Sequence, residues 1–137
     1  MKTTIHHIGI YTDNPKRLIE FYEHKLGFTH SATKSVGEEL MGDVFGISVP
    51  CTIDKMKFEN VFIEVFSSSS SNFPAQDRKG VRVDHWGMNV KDKDSYVRQI
   101  EEKGVPVIKF EGQGKWIFFI RDPDGNLIEI YEDKSLA

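Results

Sequence analysis

Four residues of types that bind a divalent metal or move a proton stand in a repeated setting: His7, Glu64, His85 and Glu129. They fall into two sets. Ile5-His-His-Ile-Gly-Ile-Tyr-Thr12 and Val83-Asp-His-Trp-Gly-Met-Asn-Val90 align with His7 on His85, Gly9 on Gly87 and Ile10 on Met88. Later in each half comes a strand-like run with a central glutamate, Val61-Phe-Ile-Glu-Val-Phe66 and Leu127-Ile-Glu-Ile-Tyr131. Imidazole nitrogen and carboxylate oxygen together suit a borderline or hard divalent ion such as Zn, Ni, Co, Fe or Mn. A lone strand glutamate is ordinarily the solvent face of an amphipathic strand. Here each glutamate keeps bulky company on its own face, Phe62 and Phe66 in one half, Leu127 and Tyr131 in the other. A carboxylate among such residues is costly unless it is paired, hydrogen-bonded or metal-bound.

The elements that must position these residues repeat as well. Thr4 to Thr12 reads as a strand with Ile8 and Ile10 on one face and His7, Gly9 and Tyr11 on the other. Asn14 and Pro15 suit a helix start, and Leu18, Ile19, Phe21, Tyr22 and Leu26 form an apolar stripe that Gly27 ends. Residues 31–60 give a weaker signal. Thr33 to Leu40 reads as a strand or strand and turn, residues 41–46 as a short helical turn or loop, and Ile47 to Ile53 as strand-like. Phe58 to Phe66 reads as one strand, with Val61, Ile63 and Val65 opposite Phe62, Glu64 and Phe66.

The second half has the same order. Val81 to Val90 reads as a strand, Asp92 as an N-cap, and Lys93 to Lys103 as a helix with Tyr96, Val97 and Ile100 inward and Gly104 at its end. Val105 to Phe110 is expected as a short strand at an edge, because Pro106 cannot donate to a ladder. Lys115 to Arg121 and Leu127 to Tyr131 form a hairpin about the turn Asp122-Pro-Asp-Gly-Asn126. The pattern is β-α-β-β-β, twice. It divides the chain into a first module over residues 1–66, a serine-rich linker over 67–80 and a second module over 81–137. The interval from His7 to Glu64 is the longer of the two, and the excess is expected within residues 36–57.

Composition narrows the function classes. The chain has 137 residues, 39% of them hydrophobic and 28% charged, which suits a folded domain or two small fused modules. A net charge of −3 gives no basic footprint for nucleic acid. No apolar run reaches membrane-span or signal-peptide length, so the expected compartment is the cytoplasm. Cys51, the only cysteine, cannot form an internal disulfide and lacks the surroundings of a nucleophile. His6, His24 and His30 are read as structural or surface residues, because His6 has the wrong strand parity and the others lie in or beyond the first helix.

His7-Ile-Gly-Ile, Phe21-Tyr22 with Leu26-Gly27-Phe28, Phe62-Ile-Glu-Val, His85-Trp-Gly-Met and Asp122-Pro-Asp-Gly-Asn-Leu-Ile-Glu-Ile together resemble the vicinal oxygen chelate superfamily. That group includes glyoxalase I, methylmalonyl-CoA epimerase, extradiol dioxygenases and the fosfomycin and bleomycin resistance proteins. The resemblance implies an α+β fold of two βαβββ modules forming a cupped mixed sheet with helices outside. It places the metal ligands at His7, Glu64, His85 and Glu129 and implies a small-molecule substrate and a homodimer. A carboxylate at position 64 is most similar to glyoxalase I. There a divalent metal stabilises an enediolate and a glutamate, Glu129 or Glu64, moves the proton; Glu129 is favoured. The residue four after the first histidine is Tyr11, where bacterial glyoxalase I enzymes commonly have arginine, which counts against glutathione as the thiol. The alternatives are an acyl-CoA epimerase, which often has glutamine at the position of Glu64, an extradiol dioxygenase, whose iron keeps positions open that a fourth ligand would crowd, and a metal-free drug-binding protein.

Overall fold

A computed structural model describes residues 1–2, 4–71, 73, 83–112 and 114–137. The chain divides into two compact units, Met1–Gly80 and Val81–Ala137. The first unit contains β1 (Ile8–Tyr11), α1 (Pro15–His24), β2 (Thr29–Val36), α2 (Glu38–Phe45), β3 (Cys51–Phe58) and β4 (Val61–Ser67). The second contains β5 (His85–Val90), α3 (Lys93–Glu102), β6 (Ile108–Gly112), β7 (Lys115–Arg121) and β8 (Leu127–Glu132).

Each unit has one four-stranded mixed sheet, in the orders β1-β4-β3-β2 and β5-β8-β7-β6. In both, the first strand runs parallel to the last, and the last three strands pair antiparallel in sequence. The expected α+β fold of duplicated βαβββ modules is what the chain forms.

The helices start where side chains replace missing helical partners. Asn14 accepts from the Arg17 N–H, with Pro15 at the first helical position, and Asp92 accepts from the Ser95 N–H. Both helices are followed by a glycine with positive φ, Gly27 at 81° and Gly104 at 82°. α1 packs on β2 and β4. Its Leu18 and Tyr22 are fully buried, as are Ile63, Val65 and Met56 of the sheet. In the second unit α3 packs on β8, and Val97 and Ile100 are buried with Ile120, Ile128 and Ile130. The aliphatic halves of β4 and β8 thus form the core faces, and Glu64 and Glu129 point the other way.

The region that reads poorly in sequence contains an extra helix. α2 begins without a side-chain cap and has Gly42 inside it, so propensity argues against a helix there. Tertiary packing overrides this. Met41 is fully buried in a cluster with Val49, Cys51, Ile53 and Phe66, flanked by Tyr11 and Val36. A Cβ on Gly42 would lie 2.7 Å from the Ser48 hydroxyl, so glycine is what lets the following loop fold back onto the helix. Tyr11, Phe66 and Ile53 lie on the same face as Glu64, by the strand registers. α2 therefore covers one end of the Glu64 face, whereas α1 covers the opposite face.

Several boundaries differ from the sequence reading. β1 starts at Ile8 rather than Thr4. Ile47 to Pro50 is loop, and β3 starts at Cys51. The run Phe58 to Phe66 is interrupted by a hairpin turn at Glu59-Asn60, where Glu59 has φ 51°; no glycine marks this turn. The edge strand β6 begins at Ile108, beyond Pro106. Ser67 is the last residue of β4, and the Ser68 hydroxyl donates to the Pro50 carbonyl at 2.7 Å. Residues 72 and 74–80 of the expected linker, and Val81 and Arg82 of the expected strand, lie outside the described residues.

Replacing Met41 by Ala is expected to cost about 2–5 kcal/mol of stability. Leu40→Ala, at a residue 51% exposed, should change it by no more than about 0.5 kcal/mol. Urea unfolding curves of the two variants check this.

Candidate functional site

The registers of β1 with β4 and of β5 with β8 assemble the site residues. Gly9 stands beside Glu64 and Gly87 beside Glu129. Each histidine lies two positions before its glycine and so falls on the same face. His7 Nε2 is 3.3 Å from Glu64 Oε2, and His85 Nε2 is 3.2 Å from Glu129 Oε2. The carboxylates are largely buried, with 14% and 17% of their side-chain surface exposed, while the imidazoles keep 41% and 38%. A side chain at either glycine would project over this face; at Gly87 it would come into contact with Glu129 and Tyr131. Glycine keeps the space beside the carboxylate open.

The other ring nitrogen of each histidine is also held. His85 Nδ1 is 3.1 Å from Asp84 Oδ2, and His7 Nδ1 is 2.8 Å from His6 Nδ1. The sequence reading set His6 aside and did not consider Asp84. The signal was adjacency: a residue before a candidate ligand can reach round to the ring edge that points away from the site. His85 thus lies between two carboxylates. A neutral imidazole has one N–H, so one of those contacts would set lone pair against lone pair.

Within each unit the imidazole–carboxylate spacing suits two ligands of one ion. With bonds of about 2.0–2.2 Å, adjacent ligand atoms lie about 2.8–3.6 Å apart, from octahedral to tetrahedral geometry. The His7–Glu64 and His85–Glu129 distances fall in that range. An imidazole whose Nδ1–H is given to a carboxylate presents its Nε2 lone pair to an ion, the usual support for a histidine ligand. Among the described residues, no group of three or more His, Cys, Asp or Glu side chains forms a metal-binding set. Each unit thus brings together one imidazole and one carboxylate.

Aromatic rings surround both pairs. Phe119 is in register with Glu129 and meets the His85 ring edge to face at 5.4 Å. Phe118 is a core residue, 5% exposed, and Trp116 stacks on it. The aromatic residues of β7 thus divide between core and wall. A cavity of about 690 Å³ in the second unit is lined by Glu129, Tyr131, Phe110, Ile117, Trp116 and Lys115, among others. Arg121 is committed to its own turn, donating to the Gly125 carbonyl at 2.9 Å. In the first unit the His6 ring stacks on Phe62 at 5.6 Å.

The remaining candidates take structural roles. Burial pushes the Cys51 thiol up, away from nucleophilic character. Burial, and secondarily Cys51, raise the Tyr11 phenol, so Tyr11 is a neutral residue that packs edge to face on Phe66 at 5.5 Å. His30 is 2.9 Å from the buried Asp54, whose same oxygen also accepts from Thr33 at 2.7 Å. His24 is exposed at the end of α1. No described helix is long and apolar enough to cross a membrane.

The family model of the Glyoxalase/Bleomycin resistance protein/Dioxygenase superfamily matches residues 4–130, and the chain belongs to that superfamily. Solved structures with a similar fold include the trypanothione-dependent glyoxalase I of Leishmania major, at 20% identity and TM-score 0.66 over 98% of this chain and 89% of that one. A lactoylglutathione lyase from Agrobacterium tumefaciens is 21% identical, with TM-score 0.64 over 97% and 96% of the two chains. A glyoxalase family protein from Enterococcus faecalis is 24% identical, with TM-score 0.68 over 94% and 97%. No curated protein sequence matches the chain.

Removing the carboxylate behind His85 in Asp84→Ala is expected to weaken divalent-metal binding about 10–100-fold, with Asp84→Asn in between. Competition against a chromogenic chelator measures it.

Proposed function

We propose that the protein is a metal-dependent isomerase of the glyoxalase I type, with His7, Glu64, His85 and Glu129 as ligands of a divalent ion. The observation that carries this is the duplicated imidazole–carboxylate pair, at ligand-to-ligand distances in both units. The superfamily and the glyoxalase I enzymes among the fold neighbours support it. The substrate on this reading is the adduct of a 2-oxoaldehyde with a thiol, a small molecule bearing oxygens on adjacent carbons.

A bound divalent ion supplies Lewis acidity, polarising those two neighbouring oxygens and lowering the cost of negative charge on them. The chain's own residues do the rest. Glu129 is the proposed base. It lines the cavity, so a substrate carbon has room beside its carboxylate. Its Oε2 takes the proton from the carbon bearing sulfur and returns it to the neighbouring carbon. The product is a 2-hydroxy thioester, isomeric with the adduct, so no oxidant or reductant is consumed. His85, fixed by Asp84, holds the position of that carboxylate. Phe110 and Tyr131 line the cavity beside Glu129, and Phe119 packs on the His85 ring, so the reacting carbons would meet an apolar wall. Glu64 is the equivalent carboxylate of the first unit and a ligand in this reading. A homodimer is the proposed assembly, and the cytoplasm the proposed location.

Metal-reconstituted protein is expected to convert hemithioacetals of methylglyoxal to thioesters, followed by thioester absorbance, and to lose that activity on chelation. Glu129→Gln should lower kcat by about 10²–10⁴-fold while His85→Ala also lowers metal content in elemental analysis. Inactivity of the loaded protein with every thiol adduct would sink the proposal.

A further inference from the structure

β3 carries two lysines onto the face of the proposed site. Lys55 is in register with Glu64 and Lys57 with Phe62, so all four side chains project from the same side of the sheet. The equivalent strand of the second unit, β7, instead puts Phe119 beside Glu129. The fold itself therefore does not require a cation at this position.

Neither lysine makes an ion pair among the described residues. The carboxylates that neighbour them in sequence or register are otherwise engaged. Glu64 holds His7, and Asp54 projects from the opposite face, where it binds His30 and Thr33. Both ammonium groups lie over one ring instead, with Lys55 Nζ 4.7 Å and Lys57 Nζ 5.5 Å from the Phe62 centroid. The ring attracts each cation weakly, and the two cations repel each other. A single anion between them would satisfy both. α2 closes the other end of this face by packing on Ile53, Cys51 and Phe66, so the lysines stand at the end that holds His7 and Glu64.

We infer that Lys55 and Lys57, both held over the Phe62 ring, form a subsite for a carboxylate on the non-reacting part of the substrate. The inference rests on the reading that the Glu64 face receives substrate, and it narrows the thiol to an anionic one. Lysine ammoniums suit this role as mobile point charges without a fixed fork.

The test compares two thiols on metal-loaded protein, using the methylglyoxal adducts of mercaptoacetate (anionic) and mercaptoethanol (neutral). Wild type is expected to show a KM at least about 10-fold lower for the anionic adduct, with the difference shrinking as salt rises. The Lys55→Gln/Lys57→Gln double variant should lose that preference with kcat and the neutral adduct little changed, and Lys55→Arg/Lys57→Arg should keep it. Equal KM values in wild type, or a preference that survives the double Gln variant, would overturn the subsite. Turnover of neither adduct counts against the isomerase reading, and binding then decides the subsite alone. Benzylthioacetate should shift the amide resonances of Lys55 and Lys57 where the neutral 2-(benzylthio)ethanol does not. Absence of that difference also overturns it.

Discussion

The register between the first and last strand of each unit is the constraint on which the site depends. Parallel pairing sets Gly9 against Glu64 and Gly87 against Glu129, and alternation then brings the preceding histidine to the same face. A slip of one residue would turn each glutamate toward the helix and each buried aliphatic toward solvent. The register is held by what lies on the other side. Ile63 and Val65 are fully buried on the face that α1 covers, and Ile128 is fully buried on the corresponding face of the second sheet. Chemistry on one face is thus positioned by hydrophobic packing on the other.

Within that frame the two units have diverged. Both hold a histidine by its two ring nitrogens, but the outer partner is another imidazole in the first unit and a carboxylate in the second. A carboxylate makes the ring a stronger donor than an imidazole does. The first unit also carries α2, which seals part of the Glu64 face with Met41 and Phe66. The second unit has Phe110, Ile117 and Tyr131 exposed around a cavity. One glutamate stands by lysines, the other by phenylalanine. Superfamily folds host several reactions on one scaffold, and such differences beside the shared pairs are where a particular substrate would be selected.

The sequence by itself determined the repeat, the two helix starts at Asn14 and Asp92, the Asp122–Asn126 turn and the faces of β4 and β8. These follow from local rules of capping, turn chemistry and period-two alternation, and each is written in contiguous residues. α2 was not legible, because Gly42 and an uncapped start argue locally against a helix that only the burial of Met41 and the close approach of Ser48 sustain. The Glu59 turn was hidden because its positive φ is carried by a residue that ordinarily avoids it. Likewise, only the tertiary structure decided that Asp84 and His6 back the histidines, that Arg121 is spent on its own turn, and which aromatic residues of β7 are core and which are wall. Those outcomes depend on distances across strands and on rotamers, which spacing along one chain does not encode.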